Sequence, residues 1–274
     1  MIVEKVTRKS RRYNEDRFLE FKSCFMVMDG ATSLAPTKFK PSGGSFLVSY
    51  LKNNLPKGND SIIEKLYTLS KELSKYTDEK SEEYLPSAGL AWCEIKEDIV
   101  NIHTIGDCEV VVITNNGKII RYVQPELIKL DSLAIKEMID ISKEKSISIK
   151  DARKYVNDML IKHRKMMNKV DGYNVFAPYD NPNFNFLSAS VERKDVKYIY
   201  LFSDGFASAF DCFGIYNSFE TMFKDEIDLK LIIDKIVNVS SNPSTLYETI
   251  PLVGLISYLL PFFSLILSFF QMLL

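Results

Sequence analysis

The amino-acid sequence predicts an α+β fold with antiparallel sheets, and three observations favour this class. The chain has 274 residues, of which 46% are hydrophobic, and this is enough to fill a sizeable core. Its strand-like segments fall into two blocks, and helical segments accompany each block. The pattern lacks the regular alternation of strand and helix that is typical of parallel sheets.

The first block of strands lies near the start of the chain. Ile2–Arg8 alternates between apolar and polar residues, as a half-buried strand does. Residues 18–28 are rich in strand formers and end at an Asp-Gly pair. We therefore expect a strand pair that leads into an acidic turn. Two helices are expected next, in residues 41–54 and 60–76, where apolar residues recur at helical spacing.

The second block of strands begins in the middle of the chain. Residues 86–123 contain short β-rich runs separated by turn signals such as Asn115-Asn116-Gly117, a pattern that predicts an antiparallel meander. The remaining predicted elements are helices over residues 130–140 and 149–167, strands over 186–191 and 196–202, and a last helix over 229–239.

The charge and cysteine content exclude some classes of function. The chain carries 35 Lys and Arg against 36 Asp and Glu, and a net charge of −1 gives no general attraction to nucleic acid or to an anionic membrane. The 4 cysteines form no CxxC pair and follow no secretory signal, so we expect reduced, buried thiols in a cytoplasmic protein. With only 2 histidines, a His/Cys zinc site is disfavoured.

Short acidic motifs lie at the ends of the predicted strands, where a rigid scaffold usually carries functional groups. A single Asp-Gly pair is more often an ordinary turn, so the motifs gain weight only as a set. Clustered carboxylates with a backbone carbonyl suit hard cations such as Mg²⁺ or Mn²⁺, not zinc. The motifs are Asn14-Glu15-Asp16, Asp29-Gly30, Gly106-Asp107 and Ser203-Asp204-Gly205.

The order of these motifs, with the small-residue strand Ser87-Ala88-Gly89 between the second and the third, resembles the motif series of the protein phosphatase 2C family of metal-dependent serine/threonine phosphatases. The resemblance covers roughly residues 5–225. Residues 171–174 and 205–216 are similar to a bacterial or phage branch of that family. The resemblance implies a four-layer α-β-β-α sandwich of two antiparallel sheets flanked by helices. It also implies that a metal-activated water hydrolyses phosphoserine or phosphothreonine in phosphoproteins, without a covalent enzyme intermediate.

The resemblance further implies a set of metal ligands. Asp29 would bridge two Mg²⁺ or Mn²⁺ ions, and Asp204 would hold the first of them. Glu15 and the carbonyl of Gly30 would hold the second. Asp107 would share a third, weaker site with Asp204. Cys108 stands where the family usually has a serine beside this last aspartate.

Two residues have implied roles in catalysis. Asp16 would orient the metal-bound water; because it is adjacent to Glu15 on an extended backbone, the two side chains are expected to point to opposite sides. Arg11 would grip the substrate phosphate, a task that suits a guanidinium because it binds phosphate oxygens bidentately. The neighbouring Arg12 is the alternative for this role.

The chain departs from the family pattern in two places. No histidine follows Asp29-Gly30, where many members of the family carry a general acid. The acidic pair near the family's C-terminus is also missing, since Glu248 is the only acidic residue after Asp234. Weaker metal affinity is the expected consequence. Two alternatives to an active phosphatase therefore stay open: a catalytically impaired phosphatase-fold protein that binds phosphoproteins or partners, and an unrelated α+β domain with structural acidic turns.

The end of the chain is strongly apolar. Residues 249–274 carry no charge, and the 24 residues from 251 to 274 could cross a bilayer as a helix, although Pro261 interrupts them. We therefore divide the chain into a phosphatase-like domain over residues 1–248 and an apolar tail over 249–274. The tail has three interpretations: a membrane anchor, a core strand formed by residues 250–260, or the product of a frameshift or truncation.

Overall fold

The fold is α+β, as predicted, with two antiparallel sheets face to face and helices on their outer sides. We analysed a computed structural model, which describes residues 2–8, 13–34, 38–57, 61–77, 81–147, 149–211, 215–216, 219–223, 229–241 and 267–273. The layers follow the order helix, sheet, sheet, helix, which is the four-layer sandwich that the sequence resemblance implied.

Each sheet has five strands. The strands are β1 Ile2–Arg8, β2 Asp16–Phe21, β3 Cys24–Ala31, β4 Ser87–Ile95, β5 Ile99–Ile105, β6 Glu109–Thr114, β7 Ile119–Tyr122, β8 Leu187–Glu192, β9 Val196–Phe202 and β10 Leu267–Leu273. Sheet A has the order β1-β10-β9-β6-β7, and sheet B has the order β2-β3-β4-β5-β8.

Eight helices connect or follow the strands along the described part of the chain. They are α1 Gly43–Asn54, α2 Ile62–Ser74, α3 Pro125–Lys145, α4 Ile149–Ala152, α5 Asn157–Arg164, α6 Asp204–Asp211, α7 Phe219–Met222 and α8 Leu229–Ser241, with short 3-10 turns at Arg153–Val156 and Arg193–Asp195. Helices α1 and α2 cover sheet B, whereas α6 and α8 contact sheet A.

Strand β3 shows how the apolar sequence fills two cores at once. Phe25 and Val27 point between the sheets, while Met26 and Met28 point to the opposite face and contact the α1 and α2 layer. This is the period-two alternation of a strand, with both faces buried. The residues from sheet A that belong to the same core as Phe25 and Val27 include Val110, Val112, Ile199 and Leu201.

The prediction of one meander over residues 86–123 is wrong in its pairing. The four strands form, but β4 and β5 belong to sheet B whereas β6 and β7 belong to sheet A. The chain crosses between the sheets at Gly106, whose φ of 82° lies in the left-handed region. A Cβ on Gly106 would also lie 2.8 Å from the Cα of Gly89, so the crossing needs glycine.

Part of the apolar tail belongs to sheet A. Strand β10 pairs antiparallel with β1 on one side and with β9 on the other. The proposed core strand over residues 250–260 lies outside the described residues, and the domain division at residue 248 stays a prediction. In the part of the chain that the structure describes, no helix is both long and apolar enough to span a bilayer.

The position of β10 leads to a test of stability. Gln271 is in register with Glu4 on β1 and Tyr200 on β9, so its backbone groups face a neighbouring strand on each side. Gln271→Pro removes a ladder donor and is expected to lower the free energy of unfolding by about 1–3 kcal/mol, the cost of an unpaired buried backbone group. Gln271→Ala keeps the ladder and serves as the control. Equal urea midpoints for the two variants would contradict the placement of β10 inside the sheet.

Candidate functional site

Strand register brings the first three acidic positions together at one end of the sandwich. Asp16, the first residue of β2, pairs with Asp29 on β3, and Asp29 pairs with Gly89 on β4. Gly89 leaves room for the turn after β5, because a Cβ there would lie 2.5 Å from Oδ1 of Asp107. The missing side chain therefore lets Asp107 approach β4 at Gly89, the residue that pairs with Asp29.

Sheet A positions the fourth acidic residue, Asp204, at the same end of the sandwich. Glu109, at the start of β6, is in register with Phe202, at the end of β9. Asp107 precedes β6 by two residues and Asp204 follows β9 by two residues, so antiparallel pairing places both at one edge. Each sheet thus contributes carboxylates to a single cluster, which we call the acidic cluster: Asp16, Asp29, Asp107 and Asp204.

Burial and like charge raise the pKa values in the acidic cluster. The pKa of Asp29 is well above its usual value, first because the carboxyl is buried and then because Asp16, Asp204 and Asp107 surround it. Burial likewise raises the pKa of Asp204, and the charge of Asp107 adds to the effect. Burial also raises the pKa of Asp107. The cluster therefore favours added protons or cations.

Hydrogen bonds involve three of these carboxylates. The hydroxyl of Ser203 donates to Oδ2 of Asp16 at 3.1 Å, and the side chain of Asn14 accepts from the backbone N–H of Asp16 at 2.8 Å. The pKa of Asp29 is raised further by a hydrogen bond to Asp204. Oδ1 of Asp204 is buried, yet has no hydrogen-bond partner among the described residues. A buried carboxylate oxygen left in this way is available to a cation.

The chemistry of the donors fits a hard cation. The acidic cluster offers carboxylate oxygens, which Mg²⁺ and Mn²⁺ prefer, and its nearest sulfur, Cys108, is buried with a raised pKa. Within the described ranges, no group of three or more His, Cys, Asp or Glu side chains already has the spacing of a formed metal site. The residues present therefore suit such an ion in type and charge, while the ligand geometry is not preformed.

Glu15 lies beside the acidic cluster in a niche of its own. It is 4% exposed, and the hydroxyls of Thr32 and Ser42 both donate to its Oε1. The niche is tight, because a Cβ on Gly44 would lie 2.8 Å from the same Oε1 and 2.5 Å from the carbonyl oxygen of Gly30. The N-terminus of α1 thus holds Glu15 against the end of β3.

A cavity of about 170 Å³ adjoins the acidic cluster. Part of its wall consists of Asp29, Asp107 and Asp204 from the strand ends. Another part comes from the helical segment that contains α3 and α5. The charged or titratable side chains that this segment adds are Asp131, Arg153, His163 and Arg164.

These helical residues were not predicted as site residues, although the sequence carries a signal for them. Asp131 precedes the buried Ala134 and Ile135 of α3 by three and four residues, so it extends the apolar stripe of that helix. Arg164 follows the buried Leu160 of α5 by four residues. A charged residue at a position where the helical period predicts an apolar one indicates a buried polar site.

The predicted site residues therefore fall into three groups. Asp16, Asp29, Asp107 and Asp204 come together in the acidic cluster. Glu15 and Gly30 lie next to it, joined by a hydrogen bond from the N–H of Gly30 to the carbonyl of Glu15 at 3.0 Å. Arg11 and its alternative Arg12 lie outside the described residues. The assigned roles stay predictions.

No protein-family model matches the chain, and no curated protein matches it in sequence. Solved structures do match. A bacterial serine phosphatase bearing a point mutation has a TM-score of 0.56 at 13% identity, over 100% of this chain and 98% of that one. The serine/threonine phosphatase Stp1 from Staphylococcus aureus has a TM-score of 0.56 at 14% identity, over 99% and 94%. PppA from Pseudomonas aeruginosa has a TM-score of 0.54 at 12% identity, over 100% and 99%. At these identities the likeness concerns the fold.

The raised pKa values predict how stability changes with pH in the metal-free protein. A carboxyl whose pKa is higher in the folded state stabilises the fold below its unfolded value near 4, and this contribution is lost as the pH rises through the folded value. The unfolding free energy in EDTA should therefore decrease from about pH 5 to pH 8. Asp204→Asn removes one charge and should be about 1–2 kcal/mol more stable than the wild type at pH 8.

Asp195 provides the control for this experiment, because it is exposed and lies in a surface turn. Asp195→Asn should leave the pH dependence of the urea midpoint unchanged. A destabilised Asp204→Asn protein with the pH slope of the wild type would contradict the repulsion that we assign to the acidic cluster.

Proposed function

We propose that this protein is a Mg²⁺- or Mn²⁺-dependent phosphatase that hydrolyses phosphoserine and phosphothreonine in cytoplasmic phosphoproteins. The observation that carries the proposal is the convergence of Asp16, Asp29, Asp107 and Asp204 from two sheets at one cavity. Buried carboxylates that repel one another are costly for a fold, and a site for divalent cations gives them a function.

Two further observations support the proposal. The order of the acidic motifs resembles that of the protein phosphatase 2C family, and the chain shares its fold with bacterial serine/threonine phosphatases over nearly its whole length. The first is a property of the sequence and the second of the backbone. Since fold alone does not determine chemistry, the acidic cluster remains the main support.

The proposed ligands are assigned as the family resemblance suggests. Asp29 would lie between two ions, with Asp204 on the first ion and Glu15 and the Gly30 carbonyl on the second. Asp107 would contribute to a third, weaker site. When bound, such ions neutralise the carboxylates, activate water and stabilise charge on the phosphoryl oxygens.

The chain's own residues would position the reactants. Ser203 donates to the carboxylate of Asp16, and Asn14 accepts from its backbone N–H. The carboxylate would therefore be oriented to accept a hydrogen bond from the attacking water. Thr32 and Ser42 hold the carboxylate of Glu15 in its niche. Arg11 would bind the substrate phosphate from outside the acidic cluster.

Asp29 provides the decisive test of the proposal. Asp29→Asn keeps the shape of the side chain but removes the anion that would bridge two ions. We expect kcat/KM for a phosphoserine peptide in Mn²⁺ to fall by at least ~100-fold, in line with the loss of a group that organises transition-state charge. Wild-type activity should also disappear in EDTA and return when Mn²⁺ is added.

The exposed Asp195→Asn variant should retain wild-type activity and controls for the loss of a single negative charge. Full activity of Asp29→Asn would exclude the metal assignment. If the wild type binds Mn²⁺ and phosphopeptide in calorimetry without hydrolysis, the protein is a phosphatase-fold binding protein and not an enzyme.

A further inference from the structure

The cavity beside the acidic cluster has a second, cationic part of its wall. Arg153, from the 3-10 turn after α4, and Arg164, the last residue of α5, both line it. His163 lies next to Arg164 and also faces the cavity. Carboxylates from the strand ends and guanidinium groups from the helical segment therefore border one partly open cavity of about 170 Å³.

Arg164 is held in place mainly by uncharged groups. Its NH2 donates to the backbone carbonyl of Leu85 at 2.8 Å. Its buried Nε has no hydrogen-bond partner among the described residues. A guanidinium has five N–H donors, so this arrangement leaves donor capacity in a position where water has little access.

Arg153 has a similar surplus of donors. Its one described hydrogen bond is from NH1 to Oδ1 of Asn157 at 3.2 Å, and burial lowers the pKa of its guanidinium. The salt bridges in the described part of the chain include neither Arg153 nor Arg164. Arg164 does have an acidic neighbour in the cavity wall: burial and the charge of Asp107 raise the pKa of Asp131 to about 8, and the charge of Arg164 lowers it. Partly buried guanidinium groups are costly, and an anionic ligand in the cavity would offset that cost.

We propose that Arg153 and Arg164 bind the phosphate group of the substrate inside this cavity. The inference rests on the proposed phosphatase function, and it adds two binding residues on the helical wall to the Arg11 that the sequence resemblance suggested. A phosphate there would meet guanidinium donors on one side and the cations expected at the acidic cluster on the other. Guanidinium groups suit this task because their donors match pairs of phosphate oxygens.

Inorganic phosphate is the probe that separates binding from turnover. We expect calorimetric titration in Mn²⁺ to give a dissociation constant about tenfold weaker for Arg164→Gln and for Arg153→Gln than for the wild type, which corresponds to one charge-assisted contact. Arg193→Gln is the matched control, since Arg193 is exposed and the one described hydrogen bond of its side chain is to the carbonyl of Lys96. Its phosphate affinity should stay at the wild-type value.

Phosphopeptide kinetics provide the second readout. Both glutamine variants should raise KM about tenfold and leave kcat within about twofold, because the arginines are assigned to binding. Arg164→Lys keeps the positive charge but lacks the planar guanidinium group. Its KM should therefore lie between those of the wild type and Arg164→Gln. Circular dichroism checks that each variant folds, and Arg153→Gln alone decides the question if the loss of the Leu85 contact unfolds Arg164→Gln.

The outcomes distinguish this inference from the proposed function. Wild-type phosphate affinity and KM in both glutamine variants would overturn the role of the arginines while leaving the phosphatase proposal intact. Arginine-dependent phosphate binding by a wild-type protein that hydrolyses no phosphopeptide would support the binding site and overturn the enzyme. A wild type that does not bind phosphate at millimolar concentration would overturn the inference directly.

Discussion

Repulsion among four clustered carboxylates, those of Asp16 and Asp29 buried and those of Asp107 and Asp204 half-buried, is the constraint on which the rest of this structure depends. Asp29 is surrounded by Asp16, Asp107 and Asp204, and burial prevents water from screening their charges. Sheet B positions Asp16 and Asp29, and the turns next to β6 and β9 of sheet A position Asp107 and Asp204. Neither sheet could assemble the acidic cluster alone. The packing of the core between the sheets therefore has to offset the repulsion among the carboxylates at the edge of the sheets. Such a balance is expected where a fold carries a charged site.

Glycines at the sheet edge make this close approach possible. Gly89 leaves the space that Oδ1 of Asp107 occupies, and Gly30 and Gly44 let the start of α1 contact the end of β3. A Cβ atom on any of these three glycines would lie less than 3 Å from a backbone atom or a carboxylate oxygen. Gly30, Gly44 and Gly89 are thus needed for packing, whatever further role the Gly30 carbonyl has.

Local patterns in the sequence predicted most elements, because the apolar periods of strands and helices depend on nearby residues. The acidic cluster could be anticipated as well, since its members follow strand ends. Sheet membership could not, because the crossing at Gly106 depends on pairing between distant segments. The strand Leu267–Leu273 was hidden for another reason: an interior strand can have the same continuous apolar sequence as a membrane segment.

The two parts of the cavity wall have different structural origins, and this affects how each can change. The carboxylates come from strands whose positions are set by the core between the sheets. The cationic residues come from the segment between β7 and β8, whose helices have their own apolar cluster, which includes Ala134, Met138, Ala152, Val156 and Leu160. A substitution within this helical cluster can therefore alter the wall that carries Arg153 and Arg164. Leu127 and Leu130 of α3 pack instead against Leu85, Tyr173 and Val175, and so join the helical segment to the rest of the domain.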